Sequence, residues 1–112
     1  MKLFALSALT ALLATSVHAQ NLCATVPADV ARQLTEMQTF NNRVPPPSLA
    51  STTDCTSAKS LKSGIDGYRS VLAANPASGC IGIYANLILT DGFNPQYTIL
   101  GKFMAACVAA GH

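Results

Sequence analysis

The sequence has few of the residues on which most enzymes depend. Only 11% of its 112 residues are charged, and the two histidines lie at positions 18 and 112. The chain between them therefore has no side chain whose unperturbed pKa lies near neutral pH. This absence argues against a hydrolase that activates serine or cysteine with a histidine base.

The charged residues that are present are scattered. The formal net charge is +2, and no cluster of lysine and arginine occurs that would attract nucleic acid or an anionic lipid surface. The carboxylates are Asp29, Glu36, Asp54, Asp66 and Asp91. They are at least seven positions apart, which favours helix caps and solvated faces over a paired acid–base site. We predict a non-enzymatic protein without catalytic residues, metal, cofactor or nucleic-acid partner.

The long apolar run of the sequence lies at its amino terminus. A short basic start precedes the apolar stretch from Leu3 to Thr15, and Val17-His18-Ala19 has the small-x-small pattern of a signal-peptide cleavage site. The run is too short to cross a bilayer, and no second apolar stretch approaches 20 residues. We predict a secretory signal peptide at 1–19, and a secreted, extracellular single domain at 20–112 without a membrane span.

Four cysteines are spread across the predicted mature chain. They are Cys23, Cys55, Cys80 and Cys107. No two of them form a C-x-x-C pair, and no internal histidine is present to complete a zinc site. An even, widely spaced set in a small secreted chain is typical of disulfides, so we predict two bridges. Four cysteines allow three pairings, and spacing does not select one of them.

Helical periodicity predicts an all-α protein, a compact disulfide-stapled bundle of four to five helices. Apolar residues recur every three or four positions from Thr25 to Arg43, from Thr53 or Asp54 to Leu72, and from Asn94 to Gly111. Three consecutive prolines between the first two segments predict an extended or polyproline-like stretch from Val44 to Thr53.

One segment is ambiguous. Cys80 to Leu89 is almost continuously apolar. A buried helix and a small hairpin near 81–89 both fit such a run, because periodicity does not distinguish them.

The middle of the chain resembles a known family. A cysteine at position 55 begins a small-residue stretch, an amphipathic helix follows, and Asn75-Pro76 comes shortly before Cys80. This order resembles the elicitins, secreted oomycete proteins that carry sterols and provoke plant defence. Phe40-Asn41-Asn42-Arg43 resembles the elicitin Phe-Asn-Gln-Cys, and the carboxyl-terminal end up to Cys107 resembles the close of an elicitin domain.

The resemblance has a consequence for the bridges. Elicitins have six cysteines in three bridges, and this sequence has Arg43 and either Lys59 or Ser60 at the places of the second and fourth. Those two cysteines are partners in the family, so one whole bridge is missing. The resemblance implies that Cys23 pairs with Cys80 and that Cys55 pairs with Cys107.

Geometry suggests a different pairing. If the extended stretch at 44–53 runs back along the first helix, Cys23 meets Cys55 at one end of the bundle and Cys80 meets Cys107 at the other. Both schemes fit an all-helical protein.

The resemblance also implies an apolar cavity that holds a sterol or a fatty acid, with the ligand hydroxyl near a tyrosine. The candidate lining residues are Leu61, Ile65, Ile83, Tyr84, Leu87, Tyr97, Leu100, Phe103 and Met104. The same side chains also fit a packed core.

Two functions follow from these observations. The first is a monomeric elicitin-like protein that binds lipid and triggers or modulates plant defence through a host extracellular receptor or protein. The alternative is an extracellular effector that binds a host protein through its surface and carries no lipid.

Overall fold

The computed structural model describes residues 23–75, 79–90 and 92–112. Within these ranges the chain forms four helices and no strand, which confirms the predicted all-α fold. The helices are α1 at 23–41, α2 at Thr52–Ala73, α3 at Cys80–Thr90 and α4 at Phe93–Ala109. The predicted signal peptide at 1–19 lies outside the described residues.

The first helix buries one stripe of side chains. Val26, Val30 and Met37 are at most 1% exposed, at the three- and four-residue spacing of an α-helix face. Gln33 lies on the same stripe and is buried as well. α1 ends at 41, two residues before the predicted end, and the first of the three prolines follows at position 45.

The connection between α1 and α2 is less extended than predicted. Ser51 donates its backbone N–H to the Ser48 carbonyl at 3.1 Å, so residues 49–50 form a turn, and α2 already begins at Thr52. The prediction of an extended stretch to position 53 is therefore wrong, because only the prolines impose extended geometry. The peptide bond between Val44 and Pro45 is cis.

The cap of α2 also differs from the prediction. Ser51, and not Thr53 or Asp54, is the N-cap, and its side-chain oxygen accepts the Asp54 N–H at 3.2 Å. Asp54 is unavailable as a cap because its carboxylate binds groups of the preceding loop.

The ambiguous segment at 80–89 is helical, and no hairpin forms there. Cys80 and Tyr84 are four residues apart and are both buried, so one turn of helix brings them to the same face. α3 thus supplies an inward stripe, and Ile81, Leu87 and Ile88 are partly buried against the same core.

Both disulfides join one helix to another. Cys23 on α1 is bonded to Cys80 on α3 with 5.0 Å between their Cα atoms, and Cys55 on α2 is bonded to Cys107 on α4 with 5.8 Å. This is the pairing that the elicitin resemblance implies. The pairing suggested by geometry does not occur, because the short connection places the start of α2 beside the carboxyl end of α1, away from Cys23.

The four helices share one apolar cluster. Its buried members are Val26, Val30, Met37, Ala58, Ile65, Leu72, Cys80, Tyr84, Phe93 and Leu100. Aromatic rings connect its parts, with centroids 6.1 Å apart for Tyr84 and Phe93 and 6.2 Å for Phe93 and Tyr97. Among the described residues, none of the helices has the length and apolar character needed to cross a bilayer.

Candidate lipid-binding site

A polar cluster lies between α2 and α4. The Tyr97 hydroxyl donates to Asp66 Oδ1 at 2.5 Å, and Lys62 Nζ donates to Asp66 Oδ2 at 2.8 Å. Lys62 Nζ also lies 5.4 Å from the centre of the Tyr97 ring, which is a cation–π contact. Lys62 and Asp66 are one helical turn apart on α2. We call Lys62, Asp66 and Tyr97 the Asp66 cluster.

Each group of the Asp66 cluster titrates away from neutral pH. Burial alone would raise the pKa of Asp66, but hydrogen bonds from Lys62 and Tyr97 lower it. The hydrogen bond to Asp66 raises the pKa of Lys62, whereas burial, and then the bond to Asp66, raises the pKa of Tyr97. General acid–base catalysis needs a pKa near the working pH, so these groups are suited to holding a polar group rather than to transferring a proton.

The nine predicted lining residues fall into three groups. Three belong to the core and are at most 2% exposed: Ile65, Tyr84 and Leu100. Five are half-buried: Leu61, Leu87, Tyr97, Phe103 and Met104. Ile83 differs from both groups because it is 43% exposed. It neighbours Tyr84, and a step of one residue turns a helical side chain by about 100°, from the inner face of α3 to the outer one.

Two aromatic residues that the sequence reasoning did not assign to the site adjoin it. The Phe40 ring of α1 packs edge-on against Phe103, with centroids 5.4 Å apart. Phe93 is 2% exposed and stacks on Tyr97. Phe40 continues the α1 stripe three residues after Met37, so its spacing signalled an inward position. Phe93 had no such signal, because it is the first residue of its helix.

The other two tyrosines connect helices. The Tyr68 hydroxyl donates to Asp29 Oδ2 at 2.7 Å, and the Tyr84 hydroxyl donates to Gln33 Oε1 at 3.5 Å. Burial, followed by the bond to Asp29, raises the pKa of Tyr68 far above its usual range. Both hydroxyls thus tie α1 to the rest of the bundle, whereas the Tyr97 hydroxyl belongs to a cluster that reaches solvent through Asp66 and Lys62.

An open groove of about 570 Å³ lies between α1 and α2. Its walls are Glu36, Thr56, Ser57, Ser60 and Leu61. Four of these five side chains are polar, so the groove differs in chemistry from the apolar cavity that the resemblance implies. Leu61 is the predicted lining residue that borders it.

A partly buried ion pair involves Arg43, which the resemblance implies to stand at the place of the second elicitin cysteine. The Arg43 guanidinium pairs with the Asp54 carboxylate, whose Oδ2 also accepts the Ser48 N–H at 2.9 Å. Lys59, one candidate for the place of the fourth cysteine, instead donates to the His112 carbonyl at 3.3 Å. The Asp54 carboxylate in the first turn of α2 therefore fixes the connection between α1 and α2 through its contacts with Arg43 and Ser48.

The ion pair predicts an acid-dependent loss of stability. The Ser48 N–H and then Arg43 lower the pKa of Asp54 below its ordinary value of 3.8, so the stabilisation is complete above about pH 4 and decreases as the pH falls through the folded-state pKa. Asp54→Asn removes this contribution. We expect its melting temperature to lie several degrees below that of the wild type at pH 6, with a smaller difference at pH 3.

Thermal melts followed by circular dichroism between pH 2.5 and pH 7 measure this difference. Glu36→Gln is the matched control, since the Glu36 side chain is half-exposed and its partner Arg32 is 3.6 Å away on the surface. A difference in melting temperature between Asp54→Asn and the wild type that stays the same at every pH would contradict the prediction.

The site combines half-buried apolar side chains with one polar cluster. This arrangement suits a largely apolar ligand that has a single hydroxyl or carboxylate. The Tyr97 oxygen retains lone pairs that can accept a hydrogen bond from a hydroxyl, and the Lys62 ammonium can bind a carboxylate. No family model, curated protein or solved structure matches this chain.

Proposed function

We propose that this chain is a secreted, non-enzymatic, elicitin-like protein that binds a sterol or a fatty acid and triggers or modulates plant defence. The observation that carries the proposal is the position of the Asp66 cluster on the same helices as the apolar residues. The half-buried Met104 follows Tyr97 by two turns of α4, and the half-buried Leu61 precedes Lys62 on α2. A ligand hydroxyl at Tyr97 therefore has apolar side chains next to it.

The bridges support the likeness to elicitins. Two of the three family bridges recur in the expected order, from α1 to α3 and from α2 to α4. The third is missing as a complete pair, and no free cysteine remains. This order is one of the three pairings that four cysteines allow.

Apolar contact supplies the energy of the proposed binding. Leu61, Leu87, Phe103 and Met104 are half-buried and retain apolar surface that a ligand can cover. At about 25 cal/mol per Å² of apolar surface buried, a sterol-sized ligand reaches micromolar affinity after its ordering costs. The polar cluster then sets the orientation of the ligand and adds about one hydrogen bond to its affinity.

Displacement of a fluorescent sterol, and separately of a fluorescent fatty acid, tests the proposal. Tyr97→Phe removes the hydroxyl that meets the ligand, and we expect sterol affinity to fall by about five- to tenfold, the equivalent of one hydrogen bond. Tyr68→Phe is the matched control, because its hydroxyl binds Asp29 instead. Leu87→Asp is expected to abolish binding, with circular dichroism on the same sample to verify the fold.

The absence of saturable binding of either lipid by the folded wild-type protein would overturn the lipid proposal. The alternative function, binding of a host protein through the surface without carrying lipid, would then remain. One observation favours that second candidate: α3 has no charged residue, and Ile83 and Leu89 are 43% and 72% exposed on it. An intact leaf response to protein that binds no lipid would support it.

A further inference from the structure

Residues 44–50 form an exposed, uncharged segment that we call the proline arm. Its sequence is Val-Pro-Pro-Pro-Ser-Leu-Ala. Val44 is 92% exposed, Leu49 is 41% exposed, and Pro45 and Pro46 are exposed as well. None of the seven residues belongs to the buried cluster of the described helices. The apolar side chains of the arm therefore contribute little to the core.

The proline arm is nevertheless held in place at both ends. Asp54 pairs with Arg43 before the arm and accepts the Ser48 N–H within it at 2.9 Å. Arg43 Nε also donates to the Pro45 carbonyl at 3.2 Å. Asp54 itself is buried. A buried carboxylate thus orders a segment that presents its apolar groups to solvent, and an ordered segment loses less entropy on binding a partner.

The arm displays a particular set of groups. Each proline ring holds φ near −65° and removes the backbone N–H, and the two peptide bonds that join the prolines are trans. Arg43 binds the Pro45 carbonyl, but the Pro46 and Pro47 carbonyls accept no hydrogen bond from the described residues. The surface therefore consists of flat apolar rings and open acceptors.

We infer that the proline arm is a preformed docking element for a partner protein that has an aromatic-lined, proline-binding groove. Such grooves pack tyrosine and tryptophan rings against prolines and donate hydrogen bonds to the carbonyls between them. Arg43 is already bound to Asp54 and to the Pro45 carbonyl, and the arm itself has no charged residue. Recognition of the arm therefore depends on packing against the proline rings and not on charge. This inference is independent of the proposed lipid site, which shares no residue with the arm.

Nuclear magnetic resonance titration tests the inference. The probes are purified SH3, WW and EVH1 domains, which represent aromatic proline-binding grooves. We expect at least one of them to cause saturable, sub-millimolar shift changes at the amides of Val44, Ser48, Leu49 and Ala50 of the isotope-labelled protein. Replacing Pro46 and Pro47 together with serine should weaken this binding at least tenfold, whereas Leu89→Ala, at an exposed apolar residue of α3, should leave it unchanged.

Two further measurements separate the possible outcomes. Asp54→Asn releases the arm, so we expect about three- to tenfold weaker binding from the lost ordering alone. Sterol displacement by the double serine variant should match that of the wild type. The inference is overturned if none of the three domains shifts the arm amides, or if neutral phosphatidylcholine vesicles shift them and the domains do not, which would indicate a lipid contact.

Discussion

A variant with both Cys55 and Cys107 replaced by alanine is expected to lose about 4 kcal/mol of its free energy of unfolding. The bridge joins residues 52 positions apart, so its removal gives the unfolded chain the entropy of a long loop. Small domains have a total stability of only about 5–15 kcal/mol. Urea unfolding followed by circular dichroism, without reducing agent, measures the loss.

The second bridge provides the comparison. Cys23 and Cys80 are 57 positions apart, so the chain-entropy model predicts a nearly equal loss of about 4 kcal/mol when both are replaced by alanine. Alkylation without prior reduction should modify no cysteine in the wild type. In either double-alanine variant it should modify the two remaining cysteines only if their bridge has opened. A loss below 1 kcal/mol for either double variant would contradict the view that the bridges staple the bundle.

Leu100→Ala is expected to have an effect of similar size. Leu100 has no exposed surface and lies in the cluster that all four helices share, so its truncation leaves a cavity. Buried leucine-to-alanine changes cost about 2–5 kcal/mol. The same urea experiment measures this loss, and the slope of the transition should stay constant because the native state remains intact.

The neighbouring residue is a matched control. Ile99 is on the same helix but is 49% exposed, and Ile99→Ala should change the free energy of unfolding by no more than about 0.5 kcal/mol. Equal effects at positions 99 and 100 would mean that Leu100 borders a void instead of a packed core. Such a void would provide space for a ligand beside Tyr97.

Local patterns predicted much of the architecture. The stripes on α1, α2 and α4 could be recognised from sequence because the 3.6-residue repeat of a helix is a short-range property. The cap of α2 was not predicted because the side chain concerned has partners outside its own helix. Asp54 does not cap α2 because Arg43 and Ser48 occupy its carboxylate.

Sequence by itself thus determined the helical class, the number of bridges and the apolar faces, since each depends on residue type and spacing along the chain. The tertiary structure decided which cysteines pair, that 80–89 is a helix, that Ile83 faces outward and that Tyr97 meets Asp66. These features depend on contacts between residues 31 to 57 positions apart, or on which face of α3 packs inward. Such contacts form only when the helices pack together, so no local pattern encodes them.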